Sequence, residues 1–198
     1  MKLGDKMDSF IEKLQDIIKE VTSTDTIEIT DIPNIDLYMD QVTTFMEESL
    51  KSYKRYSDDK VLTKTMINNY AKAKLFPAPV KKKYTRNHIM LLVIIYHLKS
   101  ILSINDINKL LKPVTEDLKC NEKSESLETV YKYFVSLQKF NKENILINID
   151  KQKGFLERED IAKLKNKEEI VLLLTVLLVA IQANTEKRIA EKIIDTYF

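Results

Sequence analysis

Two glycines in 198 residues set the first limit on this chain. Glycine supplies left-handed backbone to tight turns, and proline opens many of the others. With 2 Gly and 4 Pro the chain lacks the run of turns that a barrel or sandwich requires. Gly4 and Gly154 stand far apart, so neither common Gly-rich phosphate loop can be built. Cys120 is the single cysteine, which excludes an intrachain disulfide. With only His88 and His97 beside it, a structural zinc site has too few ligands. The opening Met1-Lys2-Leu3-Gly4-Asp5 lacks the apolar stretch of a signal peptide. These limits predict an all-α, cytoplasmic protein without metal or cofactor. The length suits one domain with an appendage.

The formal charge of +2 conceals a partition. Residues 1–59 hold 7 basic and 14 acidic groups, net −7. Residues 60–100 hold 8 Lys, 1 Arg and no acid, net +9. Residues 101–198 hold 16 of each sign. A lysine-rich composition explains the cations of the middle window but not its missing carboxylates. A surface meant for a polyanion explains both, because any carboxylate there repels the ligand.

Apolar periodicity predicts helices over 6–21, from about Asp36 to Leu50, and from Thr63 to Lys74 with Thr63 as cap. Lys64, Asn68 and Lys72 recur every four residues and share one outward face of the third helix. Ile27 to Ile32 reads as an extended strap. Phe76-Pro77-Ala78-Pro79 is extended too, since each proline disfavours helix before it. Val80-Lys81-Lys82-Lys83-Tyr84 reads as a short basic hairpin. A strongly apolar helix follows from Arg86, then a capping-box-like Ser103 to Asp106 and a short helix that Pro113 stops. A long helix from about 126 to 148 carries a stripe of Leu127, Val130, Phe134, Leu137 and Phe140. The apolar run from Ile170 to Ile181 is too short for a membrane span and predicts a buried helix. A closing helix points Ile189, Ile193 and Ile194 inward.

The basic window therefore orders itself as helix, turn, basic hairpin, helix, turn, helix. Within it, Asn69-Tyr70, Leu75, Pro77, Tyr84-Thr85, Leu102-Ser103-Ile104-Asn105-Asp106-Ile107 and Leu110-Leu111 resemble the winged-helix head of MerR-type transcription regulators. The match departs at Asn68, where that family has Arg, and at Lys74, where it has Gly. The hairpin is also shorter and has no Gly. A second resemblance is to a bacterial family known as a domain of unknown function. It rests on Asp36-Leu37-Tyr38-Met39-Asp40-Gln41-Val42, Leu62 to Tyr70, Lys81 to Tyr84, Ala183-Asn184 and Ala190 to Asp195.

The MerR resemblance implies a winged helix-turn-helix-like head over 32–114. An N-terminal helix and strap (1–31) would precede it, and a C-terminal helical bundle unit (115–198) would follow. It implies a DNA-binding transcriptional regulator, not an enzyme. Thr63, Lys64, Thr65, Asn68 and Asn69 face the major groove, where Asn can pair bidentately with adenine. Tyr70, Lys72, Lys81, Lys82, Lys83, Tyr84 and Arg86 hold the phosphate backbone. The implied partners are double-stranded DNA and a second copy of the chain through the C-terminal helices, with no membrane. The alternative is a protein-interaction module built on a degenerate winged helix, with no DNA binding. Blander roles compete residue by residue: a polar helix face for the asparagines, a core edge for Tyr70, solvated surface for Glu47-Glu48 and Asp58-Asp59.

Overall fold

The computed structural model describes residues 3–120, 125–156, 161 and 163–198. The chain is mainly helical. Its elements are α1 (Leu3–Thr22), β1 (Leu37–Tyr38), α2 (Met39–Leu50), α3 (Lys64–Lys72), β2 (Lys83–Tyr84), α4 (Arg86–Leu98), α5 (Ile104–Cys120), α6 (Glu125–Leu156) and α7 (Lys167–Tyr197). A short 3-10 turn, Lys51–Tyr53, follows α2. Two compact units divide them: residues 25–137 with 189–198, and residues 1–24 with 138–188.

The core of the first unit is α4. Every residue from Ile89 to Ile95 is buried, so this helix has no solvent face along two turns. Around it lie Val42, Met46 and Leu50 of α2, Ile67 and Tyr70 of α3, and Ile107, Leu111 and Val114 of α5. Each set steps by three or four residues, the spacing that lines one side of a helix. Leu127, Tyr131 and Val135 of α6 join the same core.

The residues 27–32 strap is irregular rather than extended. The Asp31 amide donates to the Glu28 carbonyl (3.0 Å), and the Glu28 amide donates to the Asp31 carboxylate (2.9 Å). Ile27 and Ile32 anchor it in the core. Two side chains clamp it. The Arg86 guanidinium donates to the carbonyl of Ile32 at 3.1 Å and also to that of Ile29. The Tyr131 hydroxyl, held protonated by burial, donates to the Ile27 carbonyl at 2.9 Å.

Three further expectations need correction. Pro113 does not end a helix; α5 continues through it to Cys120. Proline removes one amide and crowds the carbonyl four residues back, at about 3 kcal/mol. Here Pro113 faces solvent, so water can reach that carbonyl, while Val114 and Thr115 continue the buried face beyond it. The second correction concerns Ile170 to Ile181. Within α7 only Val171 of this run is buried, and Leu173, Val176 and Ile181 are more than half exposed. A run that is apolar on every side needs more cover than the one stripe this chain supplies. By length and composition α7 is also long and apolar enough to cross a membrane. Third, of the closing isoleucines only Ile194 points inward; Ile189 and Ile193 are exposed.

Candidate nucleic-acid interface

Helix α3 starts where its cap dictates. The Thr63 hydroxyl accepts from the Met66 amide at 3.2 Å, satisfying one orphan donor of the first turn. Ile67 and Tyr70 turn inward, which leaves Lys64, Thr65, Asn68, Asn69 and Lys72 exposed on the opposite side.

The exit of α3 is equally defined. The Leu75 amide donates to the Tyr70 carbonyl and the Lys74 amide to the Ala71 carbonyl, each at 3.0 Å. This is the Schellman closure, and it needs a left-handed residue at Lys74, whose φ is 60°. The Asn108 side chain of α5 donates to the Ala73 carbonyl and fixes this corner.

The hairpin is as tight as two residues allow. Val80 bridges Lys83, and the Lys83 amide donates to the Val80 carbonyl at 2.9 Å. Lys81 and Lys82 have φ of 51° and 62°. Two left-handed central residues give the twist that joins antiparallel strands, a place usually filled by Asn-Gly. Among the described residues, these two and Lys74 are the non-glycine residues with positive φ. A side chain in this conformation costs roughly 1–2 kcal/mol.

Pairing of β1 with β2 fixes the hairpin against the start of α2. Leu37 lies opposite Tyr84, and Tyr38 opposite Lys83. Since β1 runs directly into α2, the hairpin is tied to the first turn of that helix. The Lys83 ammonium sits 5.7 Å from the Tyr38 ring centroid, and two residues on, Asp40 pairs with Lys64 of α3. The start of α2 therefore stands between Lys83 of the hairpin and Lys64 of α3. Tyr38 and Asp40 are given no part in the site by the sequence alone, because their part depends on the strand pairing.

The hairpin is also tied to α4. Phe76, Tyr84 and His88 form an edge-on triad with centroids 5.6–6.5 Å apart. The Thr85 amide donates to His88 Nδ1 at 3.0 Å, so Nε2 carries the proton and donates to the Pro77 carbonyl, also at 3.0 Å. Both ring nitrogens are used by the neutral form. Burial holds the His88 pKa below its ordinary 6.5, with the Pro77 carbonyl and the Asp36 charge opposing. The unfolded chain then takes up a proton that the folded chain refuses. The contribution to stability is complete above pH 6.5 and declines as the pH falls from there toward the folded pKa. Urea midpoints are therefore expected to be lower at pH 5.5 than at 7.5. His88→Gln should shrink that difference; an undiminished difference would assign the effect elsewhere.

The twelve residues expected to meet a ligand separate into two groups. Lys64, Thr65, Asn68, Asn69, Lys72, Lys81 and Lys82 are exposed, and Lys83 is half-buried beside Tyr38. Thr63 has its hydroxyl engaged as a cap. Tyr70 and Tyr84 are core residues, about 6% and 3% exposed, and burial raises both hydroxyl pKa values. Arg86 faces the strap carbonyls. The tyrosines and Arg86 are thus placed as scaffold rather than as phosphate contacts.

A family model described as a domain of unknown function, DUF1836, matches residues 27–134. The chain belongs to this family. The DUF1836 match opens at Ile27 and closes three residues past Tyr131, the two residues joined by the buried hydroxyl. It takes in the strap, the hairpin, α2 to α5 and the start of α6. No curated protein and no solved structure matches the chain.

Proposed function

We propose that this DUF1836 protein is a cytoplasmic DNA-binding transcriptional regulator whose residues 32–114 act as a MerR-like winged-helix head. It binds and does not catalyse. The N-terminal half of α3 enters the major groove, with Lys64, Thr65, Asn68 and Asn69 toward base edges. Lys72 and the hairpin lysines Lys81 to Lys83 lie on phosphates and release counterions. The observation that carries this reading is the β1–β2 pairing, which ties a basic hairpin to the capped, acid-free helix α3 through the first turn of α2.

A head this small makes few phosphate contacts, so specific binding calls for two copies. Helix α6 offers a seam. Val130, Tyr133, Leu137, Phe140 and Asn144 alternate by three and four residues, and the first four are exposed. That is a heptad register on a face the chain leaves uncovered. Helix α7 is long and apolar enough to cross a membrane. A protein cover is favoured here because its uncharged stretch, Ile170 to Thr185, spans about 24 Å at 1.5 Å per residue against a bilayer core of roughly 30 Å.

The test is retention of labelled genomic duplex fragments at 50 and 200 mM salt, with sedimentation of the free protein. A dimer is expected, with affinity falling by about 10³-fold or more between the two salts. A protein that retains no fragment at the lower salt ends this reading. One observation favours the alternative, a protein-interaction module: Asp40 already neutralises Lys64. If DNA is the ligand, Asp40→Asn frees that lysine and should raise duplex affinity several-fold with a steeper salt slope. An unchanged affinity favours the protein partner.

A further inference from the structure

The three left-handed lysines share more than their backbone conformation. Lys74 closes α3, and Lys81 and Lys82 make the hairpin turn. All three lie in the acid-free window and are exposed. Among the described residues, no hydrogen bond or ion pair engages their ammonium groups. Glycine is the low-strain residue at each place, and Asn-Gly is the usual pair in such a turn. Strained backbone that persists in a fold concentrates where function needs it. Here the strained positions have in common a free positive charge.

We propose that Lys74, Lys81 and Lys82 are phosphate contacts at which folding stability is given up for cationic charge on the duplex-binding face. Lys74 thereby joins the interface from the far end of α3, beyond the groove-facing residues, while Lys81 and Lys82 reach the backbone from the hairpin. The ligand class is the sugar-phosphate backbone of duplex DNA, contacted without regard to sequence. This rests on the duplex-binding reading above.

The proposal makes stability and affinity move in opposite directions. Lys74→Gly and the pair K81N/K82G remove strain and charge together. Each is expected to raise the melting temperature of the full-length protein by about 2–4 °C. The slope of log affinity against log salt should flatten by roughly 0.9 for K74G and 1.8 for K81N/K82G. Lys74→Arg keeps charge and conformation, and should leave both quantities near wild type. Glycine variants that melt higher but bind with the wild-type slope overturn the proposal while leaving the duplex-binding reading in place. Variants that lose affinity with no gain in melting temperature overturn the exchange of stability for charge. If the wild-type protein itself retains no duplex at 50 mM salt, both readings fall, and the rise in melting temperature then reports strain alone.

Discussion

Replacing Lys81, Lys82 and Lys83 together by alanine is expected to lower duplex affinity by about 10²- to 10³-fold at 0.1 M salt. Under the proposed duplex binding, three phosphate contacts would contribute a slope of roughly 2.7 in log affinity against log salt, and that part of the slope should vanish with them. The fold should tolerate the change. Alanine and lysine meet the same left-handed cost at positions 81 and 82, so the turn is no more strained than before. The Lys83 backbone keeps its pairing with Tyr38, since the ladder uses main-chain groups. The variant should therefore melt within a few degrees of wild type and bind far more weakly, as fluorescence anisotropy across a salt series would show. A wild-type slope in this variant removes the hairpin from the interface. An equal loss of affinity at every salt would instead point to contacts other than phosphate.

Arg86→Ala is expected to destabilise the unit formed by 25–137 and 189–198 by about 2–4 kcal/mol, as much as truncating a buried core side chain. A guanidinium that serves two backbone carbonyls makes two charge-assisted bonds, each worth about 1.5–3 kcal/mol; the sum is reduced here because the side chain is partly exposed. Truncation also leaves the Ile29 and Ile32 carbonyls short of a partner. Lysine does not substitute, because one ammonium cannot span the two acceptors with the fixed fork of arginine. Tyr131→Phe removes the other clamp on the strap and should cost about 1–2 kcal/mol. Since both groups hold residues 27–32, R86A/Y131F should cost less than the sum of its parts. Urea unfolding of the four proteins measures this. Additive losses would mean that the two clamps act on independent segments.

Local chemistry was legible in the sequence. Thr63 caps α3, the Ser103 hydroxyl accepts from the Asp106 amide at 3.2 Å and donates to its carboxylate at 2.6 Å, and the basic pentapeptide at 80–84 is a hairpin. Each depends on residues within four positions of one another. The misreadings share the opposite property. Arg86 looked like a surface cation because its acceptors lie 54 and 57 residues earlier in the chain. Pro113 looked like a stop because the continuing buried face at Val114 and Thr115 is set by tertiary packing rather than by local sequence. The run from Ile170 looked buried because apolar residues usually find cover, and this chain covers only one stripe of it. In the candidate site, the exposed residues of α3 followed from helical period alone, while the inward turn of Tyr70 and Tyr84 followed from contacts that no local pattern encodes. The left-handed lysines were half visible: the absence of glycine at the hairpin and at the α3 exit was apparent, but not that the backbone adopts the glycine conformation anyway.

The bond between the Tyr131 hydroxyl and the Ile27 carbonyl spans 104 positions and joins the two margins of the family domain. A domain whose ends meet is topologically close to a ring. It can be carried as an insert inside another chain, entering and leaving at one point on the host, and its natural ends can be linked and new ones opened elsewhere with little change to its interior. The exposed stretch from 55 to 60 is where such a cut leaves the strap, the hairpin and α4 whole.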